Sequence, residues 1–147
     1  MNTQERDPMD VAHEAAEQKL CDDLMNRDAE IRIAMAELAG WTDIVMTHPF
    51  TTEFMDDLPT TPCGNPPTGS WRPTPRYLKD LTATRFVILD ILNAGSSQLN
   101  WEYCRILGEI TGSGSHVTTA LVLADAEQHC EAILKTTEKW NTKWEIL

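Results

Sequence analysis

The sequence predicts an α+β fold: a small antiparallel sheet of about three strands covered by helices. Three observations carry this. Apolar residues recur every three or four positions in 8–24, 27–39, 81–93 and 125–140, the spacing of a half-buried helix. Runs at 41–47, 99–110 and 116–123 are rich in β-branched and aromatic residues, as strands are. Glycine and proline mark the boundaries between these runs. A chain of 147 residues, 41% hydrophobic and 24% charged, suits one soluble domain with its own core.

Asp7-Pro8 is a helix start, with Asp as cap and Pro at the first helical position. Met9, Ala12, Ala16, Leu20 and Leu24 then form one stripe, giving a helix over 8–24. Asn26 reads as a second cap. Ile31, Ala34, Met35 and Leu38 line the helix over 27–39, and Gly40 stops it. The run 41–47 is a strand ending before Pro49. From 48 to 75 the chain is Pro/Thr/Gly-rich and reads as a long irregular loop, parts of which Phe50, Phe54, Met55, Leu58 and Trp71 pack down.

Asp80 caps a largely apolar helix over 81–93 that ends at Asn93-Ala94-Gly95. Within 99–110, Trp101, Tyr103, Arg105 and Leu107 alternate with Glu102, Cys104, Ile106 and Gly108. A strand is the preferred reading, with a helix as the alternative. TGSGS then turns into the strand HVTTALVL, which completes a hairpin. The last helix, 125–140, carries the stripe Ala126, Cys130, Ile133, Thr137 and Trp140. The tail NTKWEIL either docks through Trp144 or frays.

Charge narrows the function. The net charge is −11, and residues 1–70 hold 14 acidic against 4 basic side chains. Such a chain is repelled by nucleic-acid backbones. No apolar run reaches the roughly 18 residues of a membrane span. A polar N-terminus without a signal-peptide core leads to the expectation of a cytoplasmic protein. Cys21, Cys63, Cys104 and Cys130 form no CxxC pair, and His13, His48, His116 and His129 are as scattered. Free thiols, no metal site and no cofactor are therefore expected.

Residues 71–105 reverse the trend, with 5 basic and 3 acidic side chains. In GSWRPTPRYLKDL, Arg72 and Arg76 offer planar forks for phosphate and Lys79 adds a point charge. Trp71 and Tyr77 provide faces for stacking on a base. Arg85 or Arg105 is expected to join them, Arg105 from the strand face it shares with Trp101 and Tyr103, and the helix N-terminus at 81–83 adds backbone N–H groups. The expected ligand is a small nucleotide-like anion, held at an interface in a homo-oligomer because one small domain offers limited concave surface. The competing reading pairs these cations with the acids of 1–70 and uses Trp71 and Tyr77 to pin the loop.

Other candidates carry less. His129 and Cys130 are neighbours on a helix and diverge by about 100°, so they do not make a base and nucleophile. Asp56-Asp57 is a single acidic pair in the loop. TGSGSH lacks the lysine of a phosphate-binding loop. No catalytic constellation emerges, and a non-enzymatic protein is expected.

Three segments share a likeness. MNRDAEIRIAMAELAGW (25–41), PRYLKDLTA (75–83) and ADAEQHCEAILKTTEKW (124–140) resemble, in order and spacing, the phage alpha-beta-alpha sandwich domain family of small tailed-phage accessory proteins. Pro75, Tyr77, Asp80 and Ala83 match its second segment, and Ala124, Ala126, Gln128, Glu131, Ala132, Leu134, Lys139 and Trp140 its third. Leu78, Thr84, Arg85 and His129 depart from it. The resemblance implies an alpha-beta-alpha sandwich over 25–147, with 1–24 as an added N-terminal helix. It also implies a phage protein acting in the host bacterial cytoplasm. By analogy with other small phage proteins, that role is to sequester a nucleotide-derived immune signal and so counter host defence. The alternative is an acidic protein–protein inhibitor of a host factor.

Overall fold

The structure, a computed structural model, describes residues 8–48, 60–114 and 116–146. The α+β class holds. Among the described residues, five α-helices accompany a three-stranded antiparallel sheet of order β1-β2-β3, and the first of them is long. Several elements differ from the expectation. The Asp7 cap, Phe50, Phe54, Met55, Leu58 and the Asp56-Asp57 pair lie outside the described residues.

The two helices expected at 8–24 and 27–39 are one helix, α1 (Pro8–Leu38). Asn26 is helical and caps nothing. No Gly or Pro interrupts 24–28, and Leu24, Met25 and Arg27 are good helix formers, so continuing costs less than breaking and recapping. Ile31, Met35 and Ala36 are buried, whereas every residue from Pro8 to Asp22 is exposed. At 1.5 Å per residue, 8–24 extends roughly 25 Å past the packed part. Deleting 1–24 is therefore expected to shift Tm by no more than a few degrees, measured by thermal melting.

β1 (Thr42–Thr47) forms where the sequence predicts it. Asp43 has φ 53°, at an irregularity between Thr42 and Val45. The expected 48–75 loop holds β2 (Thr61–Asn65) and β3 (Arg72–Pro73). Pro62 lies in the central strand, paired with Met46, and its carbonyl accepts from the Thr74 N–H at 2.9 Å. Proline signals pointed to a loop here because a central strand seldom tolerates a missing N–H.

α2 (Leu81–Ala94) starts as predicted, with the Asp80 side chain accepting from the Ala83 N–H at 3.1 Å. The predicted strands at 99–110 and 116–123 are both helical: α3 (Ser97–Thr111) and α4 (Val117–Leu123). In α3, Ser96 caps the start and Gly112, at φ 73°, ends it in the left-handed conformation. The buried positions Tyr103, Ile106, Leu107 and Gly108 have helical spacing, and the alternation read across 101–107 splits them between two faces. Trp101, on the outer side, is 60% exposed. In α4 tertiary packing through buried Ala120 overrides the strand propensity of Val, Thr and Leu.

α5 (Ala126–Thr136) begins with a capping box between Asp125 and Gln128 and stops four residues before the expected end. The N–H groups of Lys139 and Trp140 both donate to the Leu134 carbonyl, which closes the helix. Cys130, Ala132, Ile133 and Leu134 are fully buried, and α5 packs on α1, α2 and α3. The tail docks. Trp144 is buried, its indole donates to Glu30 at 2.7 Å, and its carbonyl accepts from the Arg27 Nε at 2.9 Å. The bonds from Trp144 and Lys143 hold the Glu30 carboxyl below the usual range.

His129 is buried between α3 and α5, and its Nδ1 shares a hydrogen bond with the Tyr103 hydroxyl. Its Nε2 has no hydrogen-bond partner among the described residues. Burial first, and the positive charge of Arg85 second, push the imidazole below its ordinary value of 6.5. The unfolded chain therefore takes up the proton more readily than the folded one. Stability is complete above pH 6.5 and falls as pH drops below it. Urea midpoints at pH 7.5 and pH 5 are expected to show this loss, and His129→Gln to flatten it.

Candidate functional site

A cleft of about 250 Å³ opens where α1, β2 and the 76–79 turn meet. Met25, Ala29, Pro62 and Leu78 give it an apolar lining, which Thr60 joins. Three cations reach it, Arg32, Arg76 and Lys79, and Asp28 is the one carboxylate lining it among the described residues.

Arg32 is the fixed member. Its Nε donates to Thr74 Oγ1 at 2.8 Å and its Nη2 to the Thr74 carbonyl. Thr74 is itself buried and anchored, its Oγ1 donating to the Pro62 carbonyl at 3.1 Å. The guanidinium plane is thus set by β2 and the residue after β3. Partial burial, and then the charge of Arg76, push the Arg32 pKa down. Arg76 and Lys79 are exposed arms on the turn before α2. None of the three makes a salt bridge with a carboxylate of the described residues; Arg27, Arg105, Lys135 and Lys143 do, and Lys19, Arg72, Arg85 and Lys139 do not.

The sequence island is divided by the fold. Arg76 and Lys79 face the cleft. Arg72 instead lies over the Trp41 ring at 5.5 Å, and Trp71 is 45% exposed; neither lines the cleft. Tyr77 is 2% exposed and belongs to the core, its phenol pushed up to about 12 by burial, so it offers no face to a ligand. Arg85 is exposed on α2 and acts on the Tyr103–His129 pair. Arg105 is neutralised on α3 by Glu102 and by Glu109 at 2.6 Å, and lies 6.0 Å over Trp101. It lines a separate groove of about 430 Å³ with Trp101, Cys104 and Val117. The α2 N-terminus is taken by the Asp80 side chain, which leaves its first N–H groups less open to an anion.

Arg32 was missed by the sequence reading. Part of the signal was present: 25, 28, 29 and 32 share one helix face, on which Met25 and Ala29 alternate with the charged Asp28 and Arg32. What no periodicity reveals is that Thr74, 42 residues away, holds the guanidinium.

The arrangement is suited to holding an anion by charge-assisted hydrogen bonds. Among the described residues, no group of three or more His, Cys, Asp or Glu is placed to hold a metal ion. No helix there is long and apolar enough to cross a membrane. All four cysteines are free thiols, with Cys63 and Cys130 buried, Cys104 half-buried and Cys21 exposed.

No protein-family model, curated protein or solved structure matches the chain. The likeness to the phage family rests on residues 25–41, 75–83 and 124–140 alone.

Proposed function

We propose that the chain is a non-enzymatic binding protein for a small phosphate-bearing anion, held in the cleft by Arg32, Arg76 and Lys79. One observation carries this reading. In a chain of net charge −11, three cations converge on one cleft without a carboxylate salt bridge among the described residues. What sets these three apart is their convergence: Thr74, and no acid, holds Arg32, whose charge meets that of Arg76. The wider role, sequestration of a nucleotide-derived immune signal by a phage protein in the bacterial cytoplasm, is supported by the resemblance of the three segments.

Thermal melting against a panel of nucleotides and ADP-ribose derivatives tests the reading. A ligand at 100 times its Kd is expected to stabilise by about 2.7 kcal/mol. Arg32→Ala and Arg76→Ala are expected to remove the shift. A panel in which nothing shifts the wild type would sink the proposal. Native mass spectrometry reads the copy number and any retained ligand.

A second reading, an acidic inhibitor of a basic host protein, is favoured by the outer half of α1. Residues 8–24 carry five acids against Lys19 and stand clear of the core. Inhibition that survives deletion of 1–24 excludes that surface.

A further inference from the structure

We infer that the cleft selects a phosphomonoester dianion over a phosphodiester. The inference rests on the anion-binding reading and narrows its ligand class.

Charge comes first. Three cations stand against one carboxylate, Asp28, which already pairs with Arg27 at 3.3 Å, so the cleft holds at least two positive charges in excess. A phosphomonoester carries about −1.5 to −2 at neutral pH. A diester carries one charge and leaves one cation of the cleft uncompensated.

Oxygen count comes second. A monoester presents three unsubstituted oxygens, and a diester two. The cleft offers three separate donors: the Arg32 guanidinium, which Thr74 fixes through Nε and Nη2, and the movable Arg76 and Lys79. The Arg32 Nη1 makes no hydrogen bond among the described residues and remains available. Arg32 and Arg76 also repel one another enough to lower the Arg32 pKa, after burial, and a dianion between them relieves both costs.

Shape comes third. Met25, Ala29 and Leu78 give the same cleft an apolar lining, which can take the single organic substituent of a monoester. Asp28 Oδ1 already accepts from Arg27 Nη1 at 3.3 Å, and its Oδ2 is there to accept a hydrogen bond from a hydroxyl or amine of that substituent. The cleft, at about 250 Å³, falls below the usual range for drug-sized ligands, and a second substituent would have to leave it.

Titration calorimetry on the full chain tests this with inorganic phosphate, adenosine monophosphate and 3′,5′-cyclic adenosine monophosphate at pH 7.5 and pH 5. The second ionisation of a monoester lies near pH 6, so its dianion falls roughly tenfold between the two conditions. Adenosine monophosphate is expected to lose about that factor in affinity on going to pH 5. The cyclic diester is expected to bind at least roughly tenfold more weakly at pH 7.5, with no such loss. Asp28 is the other titratable group facing the cleft besides the cations. Its protonation would strengthen anion binding in acid, opposite in sign to the expected loss, and Asp28→Asn serves as the control.

Arg32→Ala is expected to abolish monoester binding, and Arg32→Lys to weaken it. If the diester binds as tightly as the monoester, or if monoester affinity is the same at both pH values, the inference fails and anion binding stands. If none of the three probes binds at pH 7.5, both fail.

Discussion

Leu134→Ala is expected to lower the unfolding free energy by about 2–5 kcal/mol, the largest loss of any single truncation considered. Leu134 is completely buried on α5, and α5 contacts α1, α2 and α3. Removing three carbons deletes transfer energy of the order of 1.5–3 kcal/mol and leaves a cavity that the surrounding helices fill only in part. Urea unfolding reads the change directly. A loss below about 1 kcal/mol would mean that the site collapses freely and that α5 is not the centre of the core.

Gly108→Ala is expected to be nearly as costly through the opposite defect. A Cβ at Gly108 would fall well inside van der Waals contact of the Gly114 carbonyl oxygen, a backbone atom that no side-chain rotation can move aside. The same pair is tied by the Gly114 N–H donating to the Gly108 carbonyl at 3.2 Å, so the bond and the contact are lost together. Forced overpacking of this kind costs about 1–3 kcal/mol or more. At this chain length each kcal/mol lowers Tm by roughly 2–4 °C. Gly112→Ala provides the comparison. Its Cβ meets nothing within 4 Å, and the penalty there is the backbone strain of φ 73° alone. Melting both variants separates crowding from strain. Equal losses would remove the argument that the Gly108–Gly114 contact holds the end of α3 to the turn before α4.

What was legible in the sequence follows from where each signal acts. Asp80 caps α2 as read, because a cap is a contact between residues three apart; Asp125, expected inside the last helix, caps α5 in the same way. The aromatic and β-branched runs at 99–110 and 116–123 misled, because strand propensity there describes side-chain fit to a surface, and helical packing of Tyr103, Ile106, Leu107 and Ala120 overrode it. β2 and β3 were hidden by Pro62 and Pro73, whose local signal is a break and whose pairing is long-range. The candidate site was half legible. Arg76 and Lys79 were named from the charge reversal around them. Tyr77 was lost to the core, Arg105 to Glu102 and Glu109, and Arg72 to the face of Trp41. Arg32 joins the cleft through Thr74, a partner that only the folded chain brings near.

The outer half of α1 has a further consequence for how the protein tolerates change. Ala12, Ala16, Leu20 and Leu24 are exposed in the described structure, so their identities make little demand on the domain's own packing. Polar replacements at Leu20 and Leu24 are free, as far as the fold is concerned, to vary. This stretch is therefore where a tag, a label on the exposed Cys21 or a solubilising charge can be placed with the least disturbance to the cleft.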